Sequence, residues 1–538
     1  MSRLDNIIIL KKMIDKNKYS QRTMLVILDG WGVASANEGN AIELAQKPFF
    51  DALKQKYPYT ELCAHGKRVG LPVGQPGNSE AGHLNLGAGR IVRDDALSIN
   101  ESIKNGRFFK NPAFLEGISH YKEHKSKVHL MGLVTEENSA HSSPQHWLAM
   151  IDFLEEQGVK EVFLHLFTDG RDSAQHAAIR ILERFQEKID DYRFLKVHIA
   201  SITGRFYAMD RVKKWGNIEK AYHLLVCGQG FKVASAQEAI VRAYNRKETD
   251  EFISPTVIVD SKERPIGLIE DNDLVFFMNL RSDRARELSK AFVQKNFNKK
   301  NPQSFKRKKC ISNLFFVALT DFGPDLDDIR TAYPSEDIEK TLPIVLNGAK
   351  QVYIAETEKY AHITFFFNGG HDNIVSNEKR IIVPSLDVFS YDLRPEMSAN
   401  KIRQRICKEI KIDQPNFIAL NFANTDMVGH TGNLKAAIKA VECVDRNLKE
   451  LVNFAQKEKY SIIITADHGN AEEMIDLRTG EIKTTHTINP VPFILVSPEF
   501  KSVKLRNDGS LADVAPTILD LAHIKKPKEM TGQSIIKI

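Results

Sequence analysis

The 538 residues are too many for one ordinary hydrophobic core, so two large domains are the starting expectation. Hydrophobic residues at 42% and charged ones at 27% match folded domains and exclude disorder on a large scale. The 75 basic and 69 acidic side chains leave a net charge of only +6, which does not point to nucleic acid or a membrane as partner but allows a site for anions.

Residues 1–22 read as a loose N-terminal extension: Ile7 to Leu10 falls short of the roughly 7–15 apolar residues of a secretory signal core, and Lys11 and Lys12 follow at once. The apolar run Met24 to Leu28 then ends in Asp29 and Gly30, and Ser79 sits in the glycine-flanked stretch Gly77-Asn78-Ser79-Glu80-Ala81-Gly82-His83. From about Val128 to Asn279, short β-rich runs alternate with helical stretches. The runs are Val128 to Leu133, Val162 to Phe167, Val197 to Ile202 and Leu274 to Met278, and in the stretch Ala177 to Ile189 the residues Ala178, Ile181, Leu182 and Phe185 have helical spacing. This alternation predicts a mainly parallel sheet covered on both faces. Between Asn296 and Lys309 the chain is dense in Lys and Asn, which reads as a solvated surface loop, with a nucleic-acid contact as the alternative. Two further apolar strands, Phe417 to Phe422 and Ser461 to Ala466, run into Asp426 with His430 and into Asp467 with His468.

Metal-type ligands thus occur before about residue 95 and after about residue 420, while the middle block has its own βα series. An insertion is implied, with crossings near Val92 to Asp95 and Asp325 to Pro334: residues 23–94 plus 331–538 would form one domain and 95–330 the other. The five cysteines, Cys63, Cys227, Cys310, Cys407 and Cys443, are scattered and odd in number, which suits a reducing cytoplasm rather than a disulfide framework. No apolar run approaches the roughly 18 residues that span a bilayer.

In an open parallel sheet, ligands collect where the carboxyl ends of strands meet their loops, so these carboxylates and imidazoles are expected to converge. Asp426 and His430, four apart, share a face if the chain is helical there; His468 adjoins Asp467, and His486 lies between Thr485 and Thr487. Asp and His ligands without cysteine suit Mn²⁺, Zn²⁺ or Mg²⁺, and two such ions clamp the attacking and leaving oxygens of an in-line displacement. Singly, each residue has a plainer reading, an Asp after a strand as a helix cap and an isolated His as surface or satisfied core. Ser79 likewise reads either as an N-cap or as a nucleophile, and the two are compatible because a helix N-terminus offers free amides to a phosphate.

Seven motifs then carry a resemblance: Leu28 to Gly32, Gly77 to His83, Asp169-Gly170-Arg171-Asp172, Gly204 to Arg211, Ala355 to Tyr360, Asn424 to Gly432 and Ala466 to Asn470. In this order they resemble the motifs of the cofactor-independent phosphoglycerate mutases of the alkaline phosphatase superfamily, across nearly all of the chain after the extension. The resemblance implies an α/β, alkaline-phosphatase-like three-layer domain split by an inserted α/β transferase domain. It implies a monomer that interconverts 3-phosphoglycerate and 2-phosphoglycerate through a phosphoserine, without bisphosphoglycerate. One metal would be held by Asp426, His430 and His486 and the other by Asp29, Ser79, Asp467 and His468, with Mn²⁺ the usual ion and Mg²⁺ or other divalent ions as alternatives. His141, Arg171, Asp172, Arg205, Arg211, Arg281 and Arg284 match the family's substrate ligands, and Lys359 would offset phosphoryl charge. Guanidinium groups suit a molecule carrying both carboxylate and phosphate. Asp172 is expected to move the hydroxyl proton, and domain closure to keep water from the phosphoserine.

The chain departs from the family pattern before His141, where Thr135 to His141 is one residue longer and lacks a glycine pair, and at Ser143, where a second histidine is common. His371 stands where an acidic residue is common. A phosphomonoesterase or phosphopentomutase of the same superfamily is the nearest rival; the arginines and Asp172 argue against it, since hydrolysis needs no grip on the dephosphorylated product. A non-catalytic nucleic-acid-binding protein is the rival from another class.

Overall fold

The computed structural model describes residues 21–137, 139–323, 325–334 and 337–537. The expected extension lies outside the described residues as far as residue 20, and its last residue, Arg22, already begins a strand. The chain divides into two compact units, one made of the residues up to Asp94 and from Asp337 onward, the other of the residues between, from Asp95.

Two strands precede that division, β1 (Arg22–Leu28) and β2 (Tyr59–Leu62). The second unit holds β3 (Val128–Leu133), β4 (Glu161–Thr168), β5 (Lys196–Gly204), β6 (Phe231–Val233), β7 (Thr256–Ile258), β8 (Leu274–Phe277), β9 (Phe315–Thr320) and β10 (Ile329–Tyr333), the last carrying this unit past residue 330. The first unit resumes with β11 (Gln351–Glu356), β12 (Glu378–Val383), β13 (Phe417–Phe422), β14 (Tyr460–Thr465) and β15 (Val491–Val496).

The first unit's sheet has the order β12-β11-β13-β1-β14-β15-β2, parallel except that β15 runs against both its neighbours. In the central strand β1 every residue from Thr23 to Leu28 is buried, as expected for a parallel strand covered on both faces. The helices Ala399–Asp413 and Leu434–Lys457 pack on one another, and Ser79–Ala88 packs on Val514–Leu521. Register sets where the strands end. Leu28 pairs with Phe422 and Ile27 with Thr465, so the parallel strands β13, β1 and β14 end together and deliver Asp29, Asp426 and Asp467 to one edge.

The second unit's sheet has the order β10-β9-β8-β3-β4-β5-β7-β6, parallel except between β5 and β7. Four buried polar side chains link its strands: His129 Nε2 lies 3.0 Å from Asp273 Oδ2, His129 Nδ1 3.0 Å from His165 Nε2, and His165 Nδ1 2.8 Å from Ser201 Oγ. The Lys-rich stretch is largely exposed, but Phe297 and Phe305 are buried in the core of this unit, and the Arg307 guanidinium donates to the carbonyls of Ala291 (3.0 Å) and Gln294 (3.1 Å). Among the described residues, no helix is long and apolar enough to cross a membrane.

Candidate metal centre and anion-binding face

Ser79 opens the helix Ser79–Ala88, but the capping is done by its neighbour: Asn78 Oδ1 accepts from the Ala81 amide at 2.9 Å. The serine hydroxyl is thereby left for other partners. Buried, it receives a hydrogen bond from Lys359 Nζ (2.7 Å) and lies 2.9 Å from His468 Nε2 and 3.4 Å from Asp29 Oδ1. Lys359 Nζ also lies 2.7 Å from Asp29 Oδ1 and 2.6 Å from Asp426 Oδ2.

A single ammonium thus sits among three buried carboxylates, those of Asp29, Asp426 and Asp467. Burial, reinforced by Asp467, pushes Asp29 up to about 7 despite the pull of Lys359. Burial works against the charge on Lys359, yet Asp29 and Asp426 hold it above its ordinary value. Burial also pushes His468 down to about 3, so that imidazole is neutral.

The remaining histidines point the same way. His430 Nδ1 donates to the Thr484 carbonyl at 2.7 Å and His486 Nδ1 to the Gly77 carbonyl at 2.9 Å, so in the neutral rings each Nε2 carries the lone pair, while at His430 burial is outweighed by the adjacent Asp426, which raises its pKa. Those two Nε2 atoms face each other at 3.0 Å, each 3.2 Å from Asp426 Oδ1. Two lone pairs and a carboxylate oxygen aimed at one point, with the far nitrogens tied to carbonyls, fit a divalent cation. Ligand atoms of Asp426, His468 and His486 lie within 4.8 Å of one another, and so do those of Asp29, His83 and Asp467. In the second group His83 is already engaged at both ring nitrogens: Nδ1 donates to the Ser79 carbonyl (2.9 Å), and Nε2 accepts from Asn421 Nδ2 (3.0 Å). His468 Nε2 stands nearer its carboxylates, 3.5 Å from Asp467 Oδ2 and 3.6 Å from Asp29 Oδ1.

In the second unit, Asp169 organises the turn after β4. Gly170 takes φ +66°, and the Asp169 carboxylate accepts from the amides of Arg171 (3.4 Å), Asp172 (3.3 Å) and Ser173 (2.5 Å) and from Arg205 Nη1 (2.5 Å). Arg205 Nη1 is also 3.3 Å from Asp172 Oδ2, and Arg211 pairs with Asp283 at 2.9 Å. Arg284 donates to the Met209 carbonyl at 3.2 Å. Burial and the neighbouring Arg211, Arg205 and Arg171 all lower its pKa, so these guanidiniums are close enough to repel one another. His141 is buried beside them: burial, then Arg205 and Arg281, push it down to about 3, and its Nδ1 has no hydrogen-bond partner among the described residues. The longer loop before it therefore still brings His141 to the arginines.

Residues 21–526 match the metalloenzyme superfamily. The chain is 45% identical over 516 residues to the 2,3-bisphosphoglycerate-independent phosphoglycerate mutase of Clostridium novyi, covering 96% of this chain and 99% of that one. It is 46% identical over 527 residues to mutase 1 of the same description from Methanosarcina barkeri, covering 97% and 100%. The chain belongs to the 2,3-bisphosphoglycerate-independent phosphoglycerate mutase family. Its fold is also that of a Leishmania mexicana phosphoglycerate mutase solved at low cobalt concentration, with TM-score 0.74 and 30% identity over 96% of this chain and 98% of that one. The expected fold class, an alkaline-phosphatase-like α/β domain split by a second α/β domain, is the family's.

Family motifs led to the proposed ligands but gave no role to the residues that hold them, even to Asn470, which closes one of those motifs. Asn421 Nδ2 reaches both Asp29 Oδ2 (2.6 Å) and His83 Nε2 (3.0 Å), and Asn470 Nδ2 reaches Asp426 Oδ1 (2.9 Å). Asn421 lies inside an apolar strand, where a buried amide is itself a signal that a partner is needed. Asp169 and Asp283 stood in view, one in a quoted motif and the other between two arginines, and needed only the question of what orients a guanidinium.

Proposed function

We propose that the protein interconverts 3-phosphoglycerate and 2-phosphoglycerate without bisphosphoglycerate, by passing the phosphoryl group through Ser79. Support comes from family membership together with one arrangement: a buried serine hydroxyl 2.7 Å from Lys359, among three aspartates and three histidines, in a chain whose other unit gathers arginines around His141. The first unit would be the metal-binding phosphatase-like domain and the second the substrate-binding transferase domain of a cytoplasmic monomer.

Asp426, His430 and His486 would hold one divalent ion, and Asp29, Ser79, Asp467 and His468 the other, with Mn²⁺ the proposed metal. Bound there, the ions supply the positive charge that lowers the pKa of the serine hydroxyl and offsets charge on the transferring group. The ionised Ser79 oxygen attacks phosphorus, the bond to the glycerate oxygen breaks, and that oxygen takes a proton from Asp172. Lys359 offsets the negative charge that develops on the phosphoryl oxygens. Arg171, Arg205, Arg211, Arg281, Arg284 and His141 hold the glycerate, which turns so that its other hydroxyl meets the phosphoserine. Asp172 removes the proton from that hydroxyl, and the new ester forms as Ser79 is released. Retention of glycerate separates this reaction from hydrolysis.

The test is a coupled assay for 2-phosphoglycerate formed from 3-phosphoglycerate with no bisphosphoglycerate present, before and after chelation and after Mn²⁺ is restored. Activity that is lost with the chelator and regained with Mn²⁺ is expected; a requirement for bisphosphoglycerate would overturn the proposal.

A further inference from the structure

One buried carboxylate in the first unit touches none of the proposed ligands, yet it is bonded to three of the loops that bear them. Glu472 is fully buried. Its Oε2 accepts from the amides of Gly32 (3.1 Å) and Asn470 (2.8 Å), and its Oε1 accepts from Asn489 Nδ2 (3.0 Å) and from the Thr487 hydroxyl. Gly32 follows Asp29 in the loop after β1, Asn470 follows Asp467 and His468 in the loop after β14, and Thr487 follows His486 in the loop before β15. The four donors thus belong to segments that carry Asp29, Asp467, His468 and His486.

The carboxylate is set hard against the backbone it binds. A Cβ at position 32 would stand 2.2 Å from the Glu472 carboxyl carbon, and one at position 469 would stand 2.4 Å from its Oε1, so glycine is required at both places for this approach. The same loops are stitched by backbone bonds from the Ala471 amide to the Gly30 carbonyl (3.1 Å) and from the Thr487 amide to the Gly469 carbonyl (3.1 Å). Loops that meet only at their ligands spread when like charges repel; a common acceptor beneath them fixes their spacing before any ion arrives.

We propose that Glu472 is a positioning residue of the metal centre, holding the loops of Asp29, Asp467–His468 and His486 at the spacing a divalent ion requires. The inference rests on the metal-centre reading above. Outer-shell partners of this kind typically carry about 10–100-fold in metal affinity. Glu472→Gln keeps the size, but whichever way the amide is placed its NH₂ meets an N–H with no lone pair to receive it, the Gly32 and Asn470 amides on one side or Asn489 Nδ2 on the other.

The control is Asp513→Asn, which disturbs another buried carboxylate of the same unit: Asp513 accepts from the amides of Ser510 (2.8 Å) and Gln533 (2.8 Å) and bonds no ligand-bearing loop. Thermal midpoints of the metal-free proteins are measured first, then Mn²⁺ affinity by calorimetric titration, then kcat and KM at saturating Mn²⁺. Both variants are expected to lower the metal-free midpoint, whereas only Glu472→Gln weakens Mn²⁺ binding, by about 10–100-fold, and leaves KM for 3-phosphoglycerate within about twofold. If Glu472→Gln does not fold, Thr487→Val removes one donor alone and is expected to weaken Mn²⁺ severalfold. Unchanged Mn²⁺ affinity in whichever of these two variants folds overturns the inference. A parent protein that takes up no divalent ion overturns the metal-centre reading itself, and the inference with it.

Discussion

Each unit of this protein gathers a cluster of histidine, aspartate and serine, buried throughout in the second unit and reaching solvent at His430 in the first, and the two clusters are built on opposite terms. In the second unit the hydrogen bonds close in one direction: Ser201 donates to His165, His165 to His129, and His129 to Asp273, whose carboxylate also accepts from the backbone amides of Lys127 (2.8 Å) and Glu270 (2.7 Å). Every ring nitrogen has a role and both imidazoles are neutral. In the first unit the partners do not close. The Nε2 lone pairs of His430 and His486 face each other, Asp467 Oδ2 is buried without an aligned donor, and three carboxylates share one lysine. A saturated buried network is a structural element, while an unsaturated one with excess negative charge calls for a partner, and the proposed divalent ions supply it. Composition alone would rank the two alike.

The two serines separate the clusters by the largest effect, since each hydroxyl lies close to an imidazole nitrogen, at 2.9 Å from His468 in one case and 2.8 Å from His165 in the other. Ser79→Ala is expected to lower mutase turnover by about 10⁴-fold or more while the fold survives. Ser201→Ala is expected to leave turnover unchanged and to cost about 1 kcal/mol of stability, read by urea unfolding. Substantial turnover in the first variant, or its loss in a folded second variant, would erase the distinction.

Metal removal acts on the first cluster alone. At free Mn²⁺ about 100-fold above its dissociation constant, binding stabilises the folded protein by about 2.7 kcal/mol, so chelation should lower the thermal midpoint. That difference should persist in Ser201→Ala and shrink in Asp467→Asn, which removes a ligand of one proposed ion and leaves Asp426, His430 and His486 for the other. A chelator that shifts parent and Asp467→Asn alike would show that Asp467 holds neither ion. Smaller still is the effect of Arg284→Ala, in the arginine face: the loss of charge-assisted hydrogen bonds is worth about 1.5–3 kcal/mol, or roughly 10–100-fold in KM. Mn²⁺ affinity should not move, and unchanged KM would remove Arg284 from the substrate ligands.

The first cluster was legible in the sequence and the second was not, for a physical reason. Asp29, Asp426 and Asp467 each follow an apolar run, and strand ends in a parallel sheet meet at one edge, so strand position alone predicts their convergence. His129 and His165 sit inside runs that read as apolar strands; their partners come from neighbouring strands, and pairing order is a tertiary fact. Glu472 is hidden in the same way, because its four donors span residues 32 to 489. The Lys-rich stretch shows a different limit. Its lysines announce solvent, but Phe297 and Phe305 decide where the segment lies, and apolar anchors outweigh a solvated majority because burying one such ring is worth about 1.5–3 kcal/mol.

The saturated cluster also makes the smallest and most specific prediction, a pH signature. Burial holds His129 and His165 below the ordinary imidazole value, against the partial opposition of Asp273 at His129. Below about pH 6.5 the unfolded chain binds protons that the folded pair refuses, so this contribution is complete above that pH and is lost as pH falls, by up to about 1.4 kcal/mol per pH unit for each histidine. Glu287 and Glu356, both pushed up to about 7 by burial, act with the opposite sign: their folded carboxyls keep protons that the unfolded chain releases above about pH 4.5, so their contribution fades as pH rises. The parent curve alone mixes the two effects, and the difference between parent and the His129→Leu/His165→Leu double variant separates them. Measured by urea unfolding from pH 5 to 8, that difference should grow with pH and level off above about 6.5. A difference independent of pH would mean that the fold does not shift these rings at all, and one that falls as pH rises above about 6.5 would mean that the fold keeps them charged; the second result would also overturn the hydrogen-bond direction assigned to the chain from Ser201 to Asp273.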